Sequence, residues 1–293
     1  MTPMMEQYFE IKNQYKDYLL FYRLGDFYEM FFDDAVVASR ELDLTLTGRD
    51  CGEEERAPMC GVPFHAVDEY IGKLIEKGYK VAICEQMEDP ALAKGLVRRD
   101  VIRVITPGTL IESNLLPDQK NNFLCCLCMG EFASGICFAD ISTAQVYATE
   151  LTGDGMAARI KNELAAYNPR EILCNLSRVH MGEVGEWLAA RPEIMLSDAQ
   201  AARFDRETAE AAAREQFGDG LKPSFFDEDE MVRAVGAMVG YIRENERRDI
   251  SYIKNLNVYT DGQYLEMDAN TRRNLELTES MRTKKKTGSL LWV

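Results

Sequence analysis

The ten residues Tyr22 to Phe31, YRLGDFYEMF, leave the chain few folds to choose from. An aromatic and aliphatic run, Leu19 to Leu24, is cut by Gly25-Asp26 and resumes at once as Phe27 to Phe31. Glycine and aspartate supply the backbone freedom that a two-residue reversal needs, so the stretch reads as two strands joined by a tight turn. Side chains alternate across a strand, which puts Phe27, Glu29 and Phe31 on one face and Tyr28 and Met30 on the other. In a helix, at ~100° per residue, Phe27 and Glu29 would instead point about 200° apart.

Two readings of this pair are open. Phe27 can be core with Glu29 its solvated neighbour, as for most strand aromatics. Alternatively, a ring and a carboxylate side by side at the tip of a sheet can stack on a flat group and contact its polar edge. A nucleobase offers both. Spacing alone does not separate the two.

A resemblance bears on the choice. YRLGDFYEMFFDDA is followed by LDLTLTGRD, then by APMCGVPFHAVDEYIGKLIEKGYKVAICEQMEDP and VIRVITPGT. In that order, over most of Met1 to Thr109, the blocks resemble the N-terminal part of the MutS family of bacterial DNA mismatch repair proteins. The resemblance implies that Phe27 enters the minor groove and stacks on a mispaired base while Glu29 hydrogen-bonds to it. It further implies kinked, mismatched double-stranded DNA as partner, and a noncatalytic connector that relays to an ATPase and to partner proteins. In the full-length family member it implies ATP and Mg, a homodimer and a MutL-type repair partner.

Net charge bounds how such a chain could hold DNA. It is -15 over 293 residues. Met1 to Glu112 alone carries 13 Lys and Arg against 21 Asp and Glu, a net of -8. That excludes a general nucleic-acid binder and turns attention to local basic clusters. Lys94, Arg98, Arg99 and Arg103 lie close together with only Asp100 opposing, and Arg49 ends the LDLTLTGR segment. These five are candidate contacts to the DNA backbone, with solvated surface charge as the other reading of each.

The pattern of elements predicts an α/β chain. Thr2-Pro3 is expected to cap an amphipathic helix running to about Tyr15. After the hairpin come a helix from Asp33 or Asp34 to Leu42, a strand over Leu42 to Thr47, and a loop over Cys51 to Pro63. A helix over Ala66 to Lys77 closed by Gly78, and strands over Lys80 to Met87 and Val101 to Thr106, complete a mixed-sheet domain at 1–112. Turn residues mark a linker at 113–122.

Three strands follow, Phe123 to Met129, Ser134 to Ile141 and Gln145 to Leu151. Helix Met156 to Tyr167, strand Glu171 to Cys174 and helix Glu183 to Ala190 come next. Three strands and then α, β, α is the order of a ribonuclease H-like fold, here the connector domain at 123–250. Further helices are expected over Phe204 to Phe217 and Asp227 to Arg247. Residues 251–293 read as the start of a helical core or lever domain, since YLEMDANTRRNLELTES at Tyr264 to Ser280 resembles that part of MutS proteins.

The same residues admit other functions. A ribonuclease H-like fold invites a metal-dependent nuclease, and Asp140 sits in a strand, but it has no evident carboxylate partners and reads as a surface residue. A noncatalytic protein-interaction module is the third possibility. Cys125 and Cys128 have C-x-x-C spacing within the apolar run FLCCLC, with no second pair at zinc-ribbon spacing and only His65 and His180 in the chain, so buried reduced thiols are expected and no metal. No G-x-x-x-x-G-K-[ST] pattern occurs, and the Lys284 to Gly288 run, KKKTG, lacks its glycine spacing, so ATP hydrolysis by these residues is not expected. With no apolar stretch of about 18 residues and no leader at Met1, the expectation is a soluble cytoplasmic protein without membrane partners.

Overall fold

A computed structural model describes residues 1–89, 93, 95–110, 121–198, 201–247, 249–260, 269–277, 280–283 and 287–292. The chain forms two compact units, Met1–Asn122 with Tyr241–Tyr252, and Phe123–Gly240 with Ile253–Val293. Both are mixed α/β, as the sequence predicts.

In the first unit the order is α1 (Pro3–Lys12), β1 (Leu19–Leu24), β2 (Phe27–Phe31), α2 (Phe32–Leu42), β3 (Thr47–Arg49), β4 (Ala57–Pro63), α3 (Val67–Glu76), β5 (Val81–Gln86) and β6 (Arg99–Ile105). The strands form one sheet in the order β3-β4-β2-β1-β5-β6. Only β1 and β5 run parallel; the other neighbours are antiparallel. Strand alternation sorts the side chains into two cores. Leu19, Phe21, Tyr28, Met30, Cys60 and Val62 pack with Ala35 and Ala38 of α2 and Ile71, Leu74 and Ile75 of α3. On the other face Leu20, Tyr22, Phe31, Ala57 and Cys84 pack with Met5, Tyr8 and Ile11 of α1. Burying both faces anchors the sheet, because each fully buried Leu, Ile or Phe contributes roughly 1.5–3 kcal/mol.

The hairpin matches its prediction residue for residue, whereas three neighbouring expectations need correction. Helix α1 opens with Thr2 as N-cap and Pro3 as its first residue, as expected, though without a side-chain capping bond, and it stops at Lys12 rather than near Tyr15. The strand expected at Leu42 to Thr47 begins only at Thr47, because α2 takes the buried Leu42 and ends on Asp43 in the left-handed region at φ 55°. The loop expected through Pro63 contains β4, which lies inside the sheet between β3 and β2. Proline lacks a ladder donor and normally argues against an interior strand, but Pro58 and Pro63 lie within one residue of the ends of β4, while Cys60 and Val62 point into the core.

The second unit carries β7 (Phe123–Met129), β8 (Ala133–Asp140), β9 (Gln145–Thr152), α4 (Met156–Tyr167), β10 (Glu171–Cys174), α5 (Glu183–Ala189), β11 (Met195–Asp198), α6 (Arg206–Phe217), α7 (Asp229–Glu246, to Gly240 in this unit), β12 (Leu256–Val258) and α8 (Ala269–Asn274). Its sheet order is β11-β10-β7-β8-β9-β12. Strands β7, β8 and β9 form the expected antiparallel meander, and β10 returns parallel to β7. Strands β11 and β12, too short to announce themselves in the sequence, extend the sheet at its two edges. The core, from Phe123, Leu127, Ile136 and Phe138 to Ile160, Leu164, Val184 and Leu188, is closed by α4 and α5. Helix α7 approaches β8 so closely that a Cβ on Gly135 would stand 2.0 Å from the carbonyl oxygen of Glu230.

Asp140 is not the surface carboxylate expected: it is 1% exposed. Its Oδ1 accepts hydrogen bonds from the amide and hydroxyl of Ser142, at 3.0 and 2.6 Å, which ties it to the β8–β9 turn. All eight cysteines are buried free thiols. Burial pushes the Cys125 and Cys126 thiols well above their ordinary pKa, the direction expected of inert core residues. The stretch from Tyr264 through Asp268 and the lysines at 284–286 lie outside the described residues. Among the described residues, no helix is long and apolar enough to cross a membrane.

Candidate functional site

Phe27 opens β2 directly after the turn, where Gly25 takes φ +56°, a conformation that side chains with a Cβ avoid. Cross-strand register sets Phe27 opposite Leu24 on one side and Pro63 on the other. Two residues further, Glu29 stands opposite Tyr22 and Gly61. The two side chains therefore share a face, about 7 Å apart at Cα from the strand rise. Along that face exposure falls sharply. Phe27 is 47% exposed, whereas Phe31 is fully buried, its ring 5.2 Å from that of Tyr8. A ring half in water at the tip of a hairpin removes the core reading of Phe27.

Glu29 is set deeper, its side chain 16% exposed, and its Oε2 accepts a hydrogen bond from Nη1 of Arg49. Gly61 keeps the space beside it clear: a Cβ there would lie 3.4 Å from Glu29 Cγ and 3.3 Å from the Tyr28 carbonyl.

The opposite face braces the turn. Tyr28 donates to Glu85, and Arg23 Nη1 reaches the same carboxylate oxygen at 3.2 Å. Burial raises the Tyr28 phenol, and its bond to Glu85 raises it further, so it stays a donor. The Arg23 guanidinium also lies 4.1 Å from the centroid of Phe64, whose amide donates to the Asp26 carbonyl at 2.9 Å. Phe64 is 42% exposed and forms a second aromatic beside the turn. Sequence reasoning missed both Phe64 and Arg23. The available signal was an aromatic directly after the β4 proline, hidden once that segment was read as a loop.

The five basic residues do not form one patch. Arg49 pairs with Glu29 and keeps 37% of its side chain exposed. Arg98 is exposed. Arg99 is buried, donating to the carbonyls of Arg23 at 2.8 Å and Val97 at 3.0 Å and lying over the Tyr22 ring. Arg103 is buried against Glu246 at 3.3 Å. Arg99 and Arg103 thus serve the interior of the unit and present no guanidinium to a phosphate, a correction to their sequence-based assignment. Lys94 lies outside the described residues.

Fold and site together define an α/β protein that offers a half-exposed aromatic ring and a carboxylate from a hairpin tip, followed in the chain by a second α/β unit whose Asp140 is sealed in its interior. Residues 2–114 match the family model described as MutS domain I, and residues 122–254 match MutS domain II. The chain is 50% identical over 294 residues to the DNA mismatch repair protein MutS of Acetivibrio thermocellus, covering 100% of this chain and 34% of that protein. It is 48% identical to the protein of that name from Lachnoclostridium phytofermentans, covering 100% and 31%, and 46% identical to the one from Clostridioides difficile, covering 100% and 30%. The chain belongs to the MutS family. It spans about a third of the length of the curated relatives it matches.

Proposed function

We propose that this chain recognises mispaired bases in double-stranded DNA for mismatch repair, with Phe27 as wedge and Glu29 as base contact. The observation that carries the reading is the half-exposed Phe27 ring two residues from Glu29 on one face of β2. A wedge that enters the minor groove must unstack a base step and kink the duplex, which costs roughly a few kcal/mol per step. A mispaired step costs less to open, so testing deformability finds the mismatch without reading sequence.

The carboxylate adds selectivity. An anion near phosphates opposes binding, and a mispaired base that supplies a hydrogen bond offsets that cost where a paired base does not. Of the basic candidates, exposed Arg98 is the described side chain offered for the DNA backbone, with Lys94 a further candidate. By family resemblance, the second unit acts as a noncatalytic connector, the working protein is a cytoplasmic homodimer that meets a MutL-type partner, and ATP with Mg is handled elsewhere. The sequence contains no G-x-x-x-x-G-K-[ST] phosphate-loop pattern.

Titrating the intact protein with heteroduplex and homoduplex DNA at one salt concentration tests the reading. Wild type binds heteroduplex tighter and Phe27→Ala loses that preference; an unchanged preference in Phe27→Ala refutes it.

A further inference from the structure

We propose that Arg49 is a positioning residue for Glu29 rather than a contact to the DNA backbone, an inference that rests on the reading above. Arg49 is the last residue of β3, the edge strand, and Glu29 lies on β2, one strand beyond β4. Its guanidinium nevertheless ends on the Glu29 carboxylate, using Nη1 and Oε2. Gly61, the β4 residue in register with Glu29, carries no side chain that would crowd the carboxylate. Among the described residues, Oε1 accepts no hydrogen bond, so one oxygen is held and the other is left for a base.

Two consequences follow. Holding Oε2 fixes the rotamer of Glu29 before DNA arrives, so the base contact forms without ordering a long side chain. The guanidinium also neutralises the carboxylate, which lowers its repulsion of phosphate while keeping its acceptor geometry. Arg49 therefore sets how sharply Glu29 separates mispaired from paired DNA. A backbone contact would instead add affinity for both alike.

The two roles differ in a measurable way. Heteroduplex and homoduplex are titrated by fluorescence anisotropy over a salt series with intact wild-type protein, Arg49→Met, Glu29→Ala, the double variant and Phe27→Ala. Arg49→Met is expected to lower the heteroduplex-to-homoduplex affinity ratio by about tenfold, the worth of one charge-assisted hydrogen bond. In the Glu29→Ala background the same change leaves the ratio where it was, because the residue acts through the carboxylate. The slope of log K against log salt stays at its wild-type value, and Arg49→Lys recovers part of the ratio. The proposal is overturned if Arg49→Met lowers the slope by about 0.9, as loss of one phosphate contact would, or if its effect adds fully to that of Glu29→Ala. Should Arg49→Met not fold, Arg49→Lys carries the test: a ratio below wild type at unchanged slope supports the proposal, and a wild-type ratio overturns it. Phe27→Ala separates the two failures, since a preserved ratio in that variant sinks the mismatch reading itself.

Discussion

Phe27 and Phe31 are the same residue type on the same face of the same strand, and truncating each to alanine should give opposite results. Full burial of a phenylalanine side chain contributes roughly 1.5–3 kcal/mol, and with 47% of Phe27 still exposed, Phe27→Ala should cost only about 1 kcal/mol of stability. Phe31 is fully buried with its ring against Tyr8 and Tyr22, at 5.2 and 6.3 Å between centroids. Phe31→Ala removes the transfer term, leaves a cavity and breaks two aromatic contacts, for about 3–5 kcal/mol. Hydrogen exchange on peptides from the β1–β2 hairpin, followed across a urea series, reads the transition of this unit directly. A midpoint for Phe27→Ala close to wild type, well above that of Phe31→Ala, is the expected result. Equal and large losses for both would mean that Phe27 belongs to the core, and the stacking argument would lose its premise.

Two further outcomes concern the second unit. Gly135→Ala forces a Cβ to within 2.0 Å of the Glu230 carbonyl, so it should destabilise by about 1–3 kcal/mol through overpacking, visible as a lowered Tm; an unchanged Tm would contradict the close approach of α7 to β8. Glu150 is raised to about 7 from an ordinary 4.5, first by burial and then by the neighbouring Glu228, against the opposing hydrogen bond from the Met231 amide. The folded state thus holds a proton that the unfolded state releases, so stability present below about pH 4.5 declines as pH rises to about 7 and then levels. Glu150→Gln should flatten that decline in pH-dependent urea unfolding, and a decline identical to wild type would rule the group out.

Strong local signals account for the parts of the fold that are legible in the sequence. The hairpin is legible because Gly25-Asp26 interrupts a continuous apolar run, and α4 because its apolar residues recur at helical spacing. Strand β4 is illegible because Pro58, Gly61 and Pro63 imitate a loop, and only pairing with β2 and β3 overrides them. The basic cluster misleads for a different reason. Charge density along the chain says nothing about which way a side chain points, and the register shift between Ile83 and Cys84 resets alternation between Val101 and Arg103. No count along the sequence could place Arg103 against Glu246, 143 residues away. Likewise Arg49 can be named as a basic strand end, but its pairing with Glu29 depends on three strands in register.

The central claim is that Phe27 probes duplex DNA for steps that open easily. Its most direct measurement is the heteroduplex-to-homoduplex affinity ratio of the intact protein, wild type against Phe27→Ala, at fixed salt. Base–aromatic stacking contributes ~1–3 kcal/mol, so the ratio should fall by about 5- to 150-fold while homoduplex affinity changes little. A ratio that survives the loss of the ring would contradict the account.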